Sequence, residues 1–258
     1  MTVAAKQPCI FSPSGLSALK GFADRTSLFT FDLDGTLTPI IAEPSDIRIP
    51  GEVREKMTRL CNLANVAILT GRGREDARAH LGFDPHFIVG NHGAEGIPGW
   101  EEREREFADL CQGWEDQLRA LLPLTHRSGI VIENKKCSLS IHYRRAPRRK
   151  AAHREIVRAI QELAPLPRRM AGKCVENILP PDSLNKGEAL LQIMALAGAL
   201  RAVFVGDDDT DEDVFRMKNA HILGIRVGNG SLSDADFFLL EQRKIGLLLE
   251  EILTVLRT

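Results

Sequence analysis

Two aspartates stand two positions apart in the stretch FDLDGTLTPI, directly after an apolar run and directly before Gly-Thr. On a β-strand, residues i and i+2 point to the same face, so Asp32 and Asp34 would crowd one small volume. Two carboxylates that share a site repel each other unless a cation lies between them. The spacing therefore predicts a divalent metal ion at the end of this strand.

Further polar residues occupy equivalent places, after an apolar run or at the start of a helix. In open parallel sheets, ligands bind beyond the carboxyl ends of the strands, where neighbouring loops converge. We therefore expect these side chains to meet at one rim, with Asn185 or Ser183 capping the helix that carries the lysine. The residues are Thr70, Gly71 and Arg72 after VAIL, Asp207 and Asp208 after AVFVG, and Lys186 in LNKGEALL.

Carboxylates, a hydroxyl and an ammonium group at one rim suit the hydrolysis of a phosphate monoester. Asp32 can act as the nucleophile and divide one slow displacement into two easier ones through an aspartyl-phosphate. Asp34 can protonate the leaving alcohol and then take a proton from the attacking water. Mg²⁺ prefers carboxylate oxygens and would shield the nucleophile from the phosphate, while Thr70 and Lys186 would stabilise the transferring oxygens.

Apolar, β-rich runs recur along the chain, each followed by Gly or Asp and then by a helical pattern. Both sides of these runs are apolar, which is typical of parallel strands covered by helices on both faces. The pattern predicts a doubly wound α/β core. The runs are SLFTFDLDG, VAILTGRG, HFIVGNHG, AVFVGDDD and HILGIRVG.

The middle of the chain has a different pattern. A helix-like segment, EFADLCQGWEDQLRALL, precedes two strand-like runs in IVIENKKCSLSIHYR. A second helix-like segment with Pro near its start, PRRKAAHREIVRAIQELA, precedes two more strand-like runs in PRRMAGKCVENILP. We predict an inserted α+β domain over residues 101–180, between the core segments 1–100 and 181–258.

The composition narrows the classes of partner. The formal net charge is −1, whereas nucleic-acid binding normally requires a marked excess of Lys and Arg. The longest apolar run, ALLQIMALAGAL at 189–200, is shorter than the roughly 20 residues that span a bilayer, so we expect a buried helix there. The five cysteines are scattered without a C-x-x-C pair, and the first twenty residues lack a secretory pattern. We expect a monomer in the cytoplasm that binds neither nucleic acid nor membrane.

Four motifs of this chain resemble, in order, those of the haloacid-dehalogenase (HAD) phosphatases: FDLDGTLTPI, LTGR, NKGEAL and VGDDDTDEDVF. More narrowly, DGTLTPI, GNHGAEG at 90–96, SLSIHYR and GDDDTDEDVF resemble the trehalose-6-phosphate phosphatase family over most of the chain. The resemblance implies a Rossmann-like core with a C2-type cap, a Mg²⁺ cofactor and a small phosphorylated sugar as substrate.

The resemblance also implies a role for individual residues. Asp32 would be the nucleophile, Asp34 the acid/base that also offers a backbone carbonyl to Mg²⁺, and Asp207 the remaining metal ligand. Asp208 and Asp211 would hold metal-bound waters or neighbouring side chains. Phosphate binding would fall to Thr70, Gly71 and Lys186, and substrate binding to Arg72, Asn91, His92 and Gly93 and, in the cap, Glu133, Lys135 and Lys173.

The chain departs from the family pattern in one cap segment. Where the family has Glu and a basic residue, VENILP places Asn177 and Leu179. An anionic acceptor for sugar hydroxyls is lost there unless a local shift redirects Glu176. Phosphatases of other glycosyl phosphates, of the glucosylglycerol or mannosylglycerate type, and a phosphomutase therefore remain alternatives to trehalose 6-phosphate hydrolysis.

The same aspartates could belong to other classes of site. A calcium loop needs Gly at position six and Glu at position twelve, and neither Asp32 nor Asp207 begins such a spacing. A phospho-accepting receiver module or a silent sugar-phosphate sensor stays open, although receivers are about half this length. The basic run HYRRAPRRKAAHRE has one aromatic residue and is interpreted as a solvated face, or more weakly as a face that attracts an anionic substrate.

Overall fold

The computed structural model describes residues 7–41, 46–122, 129–228 and 233–257. The first six of the twenty residues that lack a secretory pattern lie outside this part of the chain. The described chain forms two compact units, one from residues 1–93 with 184–258 and one from residues 94–183.

The first unit contains a parallel sheet of six strands in the order β10-β9-β8-β1-β2-β3. All five strand-like runs predicted for the core are strands, and Phe237–Leu239 adds a sixth that the sequence pattern did not indicate. The strands are β1 (Leu28–Phe31), β2 (Asn65–Leu69), β3 (Phe87–Val89), β8 (Ala202–Gly206), β9 (Ile222–Val227) and β10 (Phe237–Leu239).

Helices flank both faces of this sheet. Phe29 and Phe31 of β1 pack in one core with Met57 and Leu249, whereas a helix that begins at Lys186 contacts β1 and β2 from the other side. The predicted doubly wound α/β class is therefore confirmed. The helices of this unit are α1 (Pro13–Phe22), α2 (Gly51–Cys61), α3 (Arg74–Leu81), α6 (Lys186–Ala197), α7 (Glu212–Phe215) and α8 (Ile245–Val255).

The strand order reverses between β1 and β8. From β1 the chain proceeds to β2 and β3 on one side, and from β8 it proceeds to β9 and β10 on the other. At such a reversal the loops after the two central strands diverge and leave a crevice at the carboxyl edge of the sheet. The residues that follow β1 and β8 are Asp32 and Asp207.

The second unit is an antiparallel sheet of four strands in the order β4-β5-β7-β6, with two helices. One face of this sheet packs on the helices, because Leu139, Ile141 and Ile178 share a core with Trp114 and Ile156. The predicted α+β composition of the insert is confirmed. Its elements are α4 (Glu101–Leu121), β4 (Val131–Asn134), β5 (Leu139–His142), α5 (Arg149–Gln161), β6 (Arg168–Gly172) and β7 (Val175–Leu179).

The bounds of the two units differ by a few residues from the predicted 101–180 insert. Ala94 packs with Phe107 and Leu179, so the second unit begins before α4. Ser183 accepts a hydrogen bond from the Arg168 guanidinium at 3.0 Å, so the unit ends after β7. These side-chain contacts join segments that are distant in sequence, which the change in sequence pattern at 101 and 180 does not reveal.

The structure corrects the expectation that the apolar run at 189–200 forms a buried helix. Leu190 and Ile193 of α6 are buried, but Leu191 and Leu196 on the opposite side of the helix are about half exposed. Gly198 ends the helix with a left-handed φ of 63°, and Leu200 beyond it is exposed. Because side chains on a helix repeat every 3.6 residues, a continuous apolar run does not require burial on every side.

A capping box fixes the first turn of α6. The Asn185 side chain accepts from the Glu188 backbone N–H at 2.9 Å, and the Glu188 carboxylate accepts from the Asn185 N–H at 2.9 Å. Two orphan N–H groups of the helix start are thereby satisfied. This local geometry sets the backbone of Lys186, the first residue of the helix.

We expect Asn185→Ala to lower the free energy of unfolding by about 1 kcal/mol, because an alanine at the N-cap leaves a backbone N–H without its acceptor. Urea unfolding followed by circular dichroism measures this change. Gln192→Ala, at an exposed position of the same helix, is the matched control and should change stability by much less. Equal effects of the two substitutions would contradict the capping role.

Candidate functional site

The candidate site lies at the carboxyl edge of the parallel sheet, where the strand order reverses. Asp32 follows β1 and its backbone N–H still donates to Val205 of β8 at 2.9 Å, which holds the two strand ends together. Asp207 follows β8, and Thr70 follows β2. The structure thus brings the residues predicted from three separate motifs to one edge of the sheet.

Lys186 joins two carboxylates in the interior of this site. Its Nζ lies 3.1 Å from Asp32 Oδ1 and 2.6 Å from Asp211 Oδ1, and all three residues are buried. Burial alone would lower the pKa of the ammonium group, but the charges of Asp211 and Asp32 outweigh burial and raise it. The lysine therefore keeps its positive charge at neutral pH.

Three carboxylates converge around this lysine closely enough to share a metal ion. One oxygen from each of Asp32, Asp207 and Asp211 lies within 4.8 Å of the others. Burial raises the pKa of Asp32 well above its usual range, although the Lys186 charge opposes the change. Burial, together with the charges of Asp211 and Asp208, raises the pKa of Asp207 to about 7.

These raised pKa values mark a local shortage of positive charge. A divalent cation at the cluster would supply it, and hard carboxylate oxygens are the ligands that Mg²⁺ prefers. The donor set therefore fits a divalent cation. The family resemblance implies that Asp211 holds metal-bound waters or a neighbouring side chain; in the structure its carboxylate contacts Lys186 and belongs to the cluster, whereas the Asp34 carboxylate contacts Arg72.

Two glycines allow the carboxylates to approach. A Cβ atom on residue 35, where φ is +79°, would lie 2.1 Å from Asp207 Oδ2. A Cβ atom on residue 206 would lie 2.3 Å from Asp211 Oδ2. Both distances are shorter than any real Cβ contact, so a side chain at either position would displace a member of the cluster.

Asp34 faces Arg72 rather than the buried cluster. Arg72 Nε and Nη2 donate to the two Asp34 oxygens at 2.6 and 2.8 Å, and Nη1 donates to Asp76 at 2.8 Å. Such a bidentate pair fixes the plane of the carboxylate. Burial would lower the pKa of Arg72, but the hydrogen bonds from its guanidinium to Asp34 and Asp76 raise it. The predicted substrate-binding arginine therefore also orients the predicted acid/base.

The loops after β2 and β3 form one hydrogen-bonded layer. The Thr70 hydroxyl accepts from the Arg72 N–H at 3.2 Å, and the Asn91 N–H donates to the Arg72 carbonyl at 2.7 Å. The His92 N–H donates to the Thr70 carbonyl at 3.0 Å. The structure thus brings these predicted phosphate-binding and substrate-binding residues together.

Unusual backbone conformations accompany this layer. Asn91 and His92 have φ values of 51° and 57°, a left-handed region that few residues other than Gly adopt. Gly71 lets the His92 ring approach, since a Cβ there would lie 2.3 Å from His92 Cε1. Gly93, with φ +115°, lies so close to the start of α6 that a Cβ would meet the Asn185 carbonyl oxygen at 2.8 Å. Backbone strain of this kind is concentrated at functional sites in proteins.

The remaining predicted substrate residues lie in the second unit. Glu133 of β4 is exposed, and its Oε2 lies 2.8 Å from His142 Nε2 and 4.0 Å from Lys135 Nζ. Lys173 lies in the turn between β6 and β7, where its carbonyl accepts from Arg144 at 3.4 Å. The basic residues of the HYRRAPRRKAAHRE run, from Arg144 to Arg154, are exposed around the start of α5.

The strand that departs from the family pattern is regular. Residues 175–179 of β7 pair continuously with β5 and β6, so no local shift redirects Glu176. The Glu176 carboxylate is buried and contacts His153 Nε2 at 2.8 Å, with Arg169 Nε at 3.0 Å in ion-pair contact but not aligned for a hydrogen bond. Asn177 points to the other face and accepts from the Ser140 hydroxyl at 2.7 Å. Leu179 is fully buried.

Sequence reasoning missed one pair beside the site. Arg226 of β9 is buried, and its Nη1 donates to Glu212 Oε1 at 2.6 Å. A signal was available, because an arginine inside the otherwise apolar strand ILGIRV requires a buried anionic partner.

Within the part of the chain that the structure describes, no helix is long and apolar enough to span a membrane.

Comparisons with known proteins now add an independent line of support. The trehalose-phosphatase family model matches residues 30–241. A "Probable trehalose-phosphate phosphatase 9" from Oryza sativa subsp. japonica is 30% identical over 234 residues, which cover 76% of this chain and 61% of that protein. This chain thus spans about three fifths of that relative's length.

Solved structures support the fold. A "trehalose-6-phosphate phosphatase related protein" aligns with a TM-score of 0.74 and 24% identity, over 90% of this chain and all of that one. A haloacid dehalogenase-like hydrolase from Bacteroides thetaiotaomicron aligns with a TM-score of 0.58 and 16% identity, over 89% of this chain and 99% of that one. The HAD-type fold expected from the four motifs is confirmed. Because the family model matches most of its length, the chain belongs to the trehalose-phosphatase family.

Proposed function

We propose that the chain is a Mg²⁺-dependent phosphoric monoester hydrolase that converts trehalose 6-phosphate to trehalose and inorganic phosphate, a step of trehalose biosynthesis. The observation that carries the proposal is the cluster of Asp32, Asp207 and Asp211 around Lys186, at the sheet edge of a chain in this family. Such a cluster provides a nucleophile, a cation site and a fixed positive charge in one buried place.

The reaction proceeds in two displacements. Asp34 begins the cycle in its protonated form. An Asp32 carboxylate oxygen attacks phosphorus, a new O–P bond forms, and the ester bond to the sugar oxygen breaks while Asp34 gives that oxygen its proton. Water then attacks the aspartyl-phosphate, Asp34 takes the proton of the water, and the Asp32–phosphorus bond breaks. Inorganic phosphate leaves and both aspartates return to their starting states.

The residues that would hold Mg²⁺ are Asp32, Asp207 and the backbone carbonyl of Asp34, with Asp211 and Asp208 beside them. When bound, the ion supplies charge that offsets the repulsion between a carboxylate and a phosphate. Thr70 and the Gly71 N–H would bind the phosphate oxygens. Lys186, already held between two carboxylates, would stabilise negative charge on the transferring group without reorganising.

Substrate recognition is assigned by resemblance to two groups of residues. Asn91, His92, Gly93 and Arg72 would bind the substrate near the phosphate. Glu133, Lys135 and Lys173 of the inserted domain, predicted over residues 101–180, would contact the sugar as a cap. A small phosphorylated sugar is thus the partner, and we infer a monomeric cytoplasmic enzyme, in keeping with five cysteines that are all free thiols.

A second candidate substrate class follows from Asn177. Its side chain is neutral and hydrogen-bonded to Ser140, so it offers no carboxylate to a sugar hydroxyl. A phosphatase of another glycosyl phosphate, of the glucosylglycerol or mannosylglycerate type, is therefore the alternative.

The test of the nucleophile is Asp32→Asn. We expect phosphate release from trehalose 6-phosphate to fall on the order of 10⁴-fold to 10⁶-fold, because the amide cannot form the acyl-phosphate. Asp34→Asn should cost roughly 10²-fold to 10⁴-fold through loss of proton transfer. Asp109→Asn, at an exposed position of α4, is the matched control and should keep full turnover. Retained phosphate release by folded Asp32→Asn protein would refute the assignment.

The test of the substrate is a panel of phosphorylated sugars assayed for inorganic phosphate with and without Mg²⁺. We expect the highest kcat/KM for trehalose 6-phosphate and no turnover after chelation. A higher kcat/KM for a glucosylglycerol or mannosylglycerate phosphate would select the alternative. An isomerised sugar phosphate without free phosphate would indicate a mutase, and a stable phosphoryl-protein without turnover a receiver-like module.

The raised pKa of Asp207 predicts how stability depends on pH when no metal is present. Its pKa is about 7 in the folded chain against an ordinary value of 3.8, so between these values the folded chain binds more protons than the unfolded chain. The free energy of unfolding therefore falls as pH rises from about 4 to about 7. Mg²⁺ should reduce this fall, because the cation replaces the proton as the source of positive charge.

Urea unfolding at pH 5 and pH 8, with EDTA or with Mg²⁺, measures the effect. Asp207→Asn should reduce the slope of the EDTA profile, to which Asp32 also contributes, and remove the stabilisation by Mg²⁺. Asp84→Asn, at an exposed position of the same unit, should leave both unchanged. A metal-free profile with the same slope in wild type and Asp207→Asn would count against the prediction.

A further inference from the structure

Arg226 is a buried cation near the carboxyl end of the otherwise apolar strand β9. Only 7% of the residue is exposed, and its register partner on β8 is Gly206, the residue directly before Asp207. It therefore lies beside the point where the chain leaves the sheet to form the acidic loop. A buried guanidinium has a high desolvation cost, so it persists only where fixed anions surround it.

The partner of Arg226 is held at both ends of its carboxylate. Arg226 Nη1 donates to Glu212 Oε1 at 2.6 Å, while Glu212 Oε2 accepts from the Asp234 backbone N–H at 3.0 Å. The other terminal nitrogen, Nη2, lies 3.6 Å from Asp209 Oδ1. The pair thus ties the start of α7 to the neighbouring strand and to residue 234.

The segment that this pair holds carries an unusual density of negative charge. Six of the seven residues from 207 to 213, DDDTDED, are acidic. Asp208 and Asp211 form a reciprocal capping box, and Lys186 contacts Asp211. Like charges this close repel one another, so the conformation of the segment depends on cations fixed by the rest of the fold.

We propose that the Arg226–Glu212 pair is a positioning device for the metal site. It holds the segment 207–212 so that the carboxylates of Asp207 and Asp211 lie within reach of Asp32. Neither Arg226 nor Glu212 contacts the metal in this proposal; they act through the backbone that carries the ligands. The inference rests on the proposed metal dependence of the enzyme.

A positioning role and a purely electrostatic role of Arg226 predict opposite changes in Mg²⁺ affinity when the arginine is removed. If Arg226 acted only as a nearby positive charge, its removal would make the site more negative and strengthen cation binding. If it positions the ligands, its removal weakens binding, and loss of partners that orient metal ligands typically reduces affinity by about 10-fold to 100-fold. The direction of the change in Mg²⁺ affinity therefore separates the two explanations.

The experiment is a calorimetric titration of the full chain with Mg²⁺ alone, without substrate. We expect Arg226→Met to weaken Mg²⁺ binding by about 10-fold or more. Glu212→Gln should weaken it at least as much, because it also removes a negative charge, so the sign of the change in the Arg226 variant is what separates the two explanations. Arg226→Lys should recover part of the affinity, because an ammonium group can keep one contact with Glu212.

The double variant Arg226→Met/Glu212→Gln tests the proposal even if a single variant, which leaves one charge buried without its partner, fails to fold. It leaves no unpaired buried charge, so it should unfold close to wild type in urea while still binding Mg²⁺ at least about 10-fold more weakly. Additive effects of the two single substitutions on Mg²⁺ affinity would overturn the proposal, because a pair that acts as a unit is lost with either partner.

Arg201→Met is the matched control. Arg201 precedes β8 at the opposite end of the same strand and forms an ion pair with Asp24. Its loss should lower stability but leave Mg²⁺ affinity unchanged. The positioning role would be overturned if folded Arg226→Met protein bound Mg²⁺ as tightly as wild type or more tightly. It would also be overturned if Arg201→Met lost as much Mg²⁺ affinity as Arg226→Met. In both cases Mg²⁺ binding by the wild-type chain would still support the metal site. A wild-type chain that binds no Mg²⁺ would overturn the proposed function as well.

Discussion

The first unit has to hold an excess of negative charge in the buried site formed by Asp32, Asp207, Asp211 and Lys186. Three carboxylates lie close together, a single lysine contacts two of them, and burial makes each uncompensated negative charge costly. The raised pKa values of Asp32 and Asp207 express that imbalance. The donor set fits a divalent cation, and the surrounding chain has to hold these anions together.

The fold meets this constraint with backbone geometry as much as with side chains. The reversal of strand order between β8 and β1 places two acidic loops next to each other. Gly35 removes a Cβ atom that would separate these loops, and Gly206 removes one that would displace Asp211 within the loop after β8. Arg72 and Arg226 then pair with acids at the margin, Asp34 and Glu212. The strand order, the glycines and the arginine pairs thus each fix the position of a charged side chain relative to the cluster.

In the second unit, side chains along β5 and β7 point alternately toward the helices and away from them. Ile141 and Ile178 face the helices, as does the carboxylate of Glu176, whereas Ser140 and Asn177 face away. Because the alternation along a strand has a period of two, the neighbours Glu176 and Asn177 cannot exchange roles without a bulge. The neutral side chain at position 177 is therefore fixed on this face of the sheet, and the proposed choice of sugar substrate depends on it.

The sequence by itself determined five of the six core strands, that polar residues follow them, and that Asn185 could cap the helix of Lys186. These features are local, since side-chain period, turn residues and capping depend on a few neighbouring positions. Only the tertiary structure decided that Asp211 joins Asp32 and Asp207, that Asp34 pairs with Arg72, that one side of α6 is exposed and that Arg226 holds Glu212. The physical reason is that the energy of a buried charge depends on separations between segments; Lys186 lies 154 positions from Asp32 in the chain but 3.1 Å away in the fold.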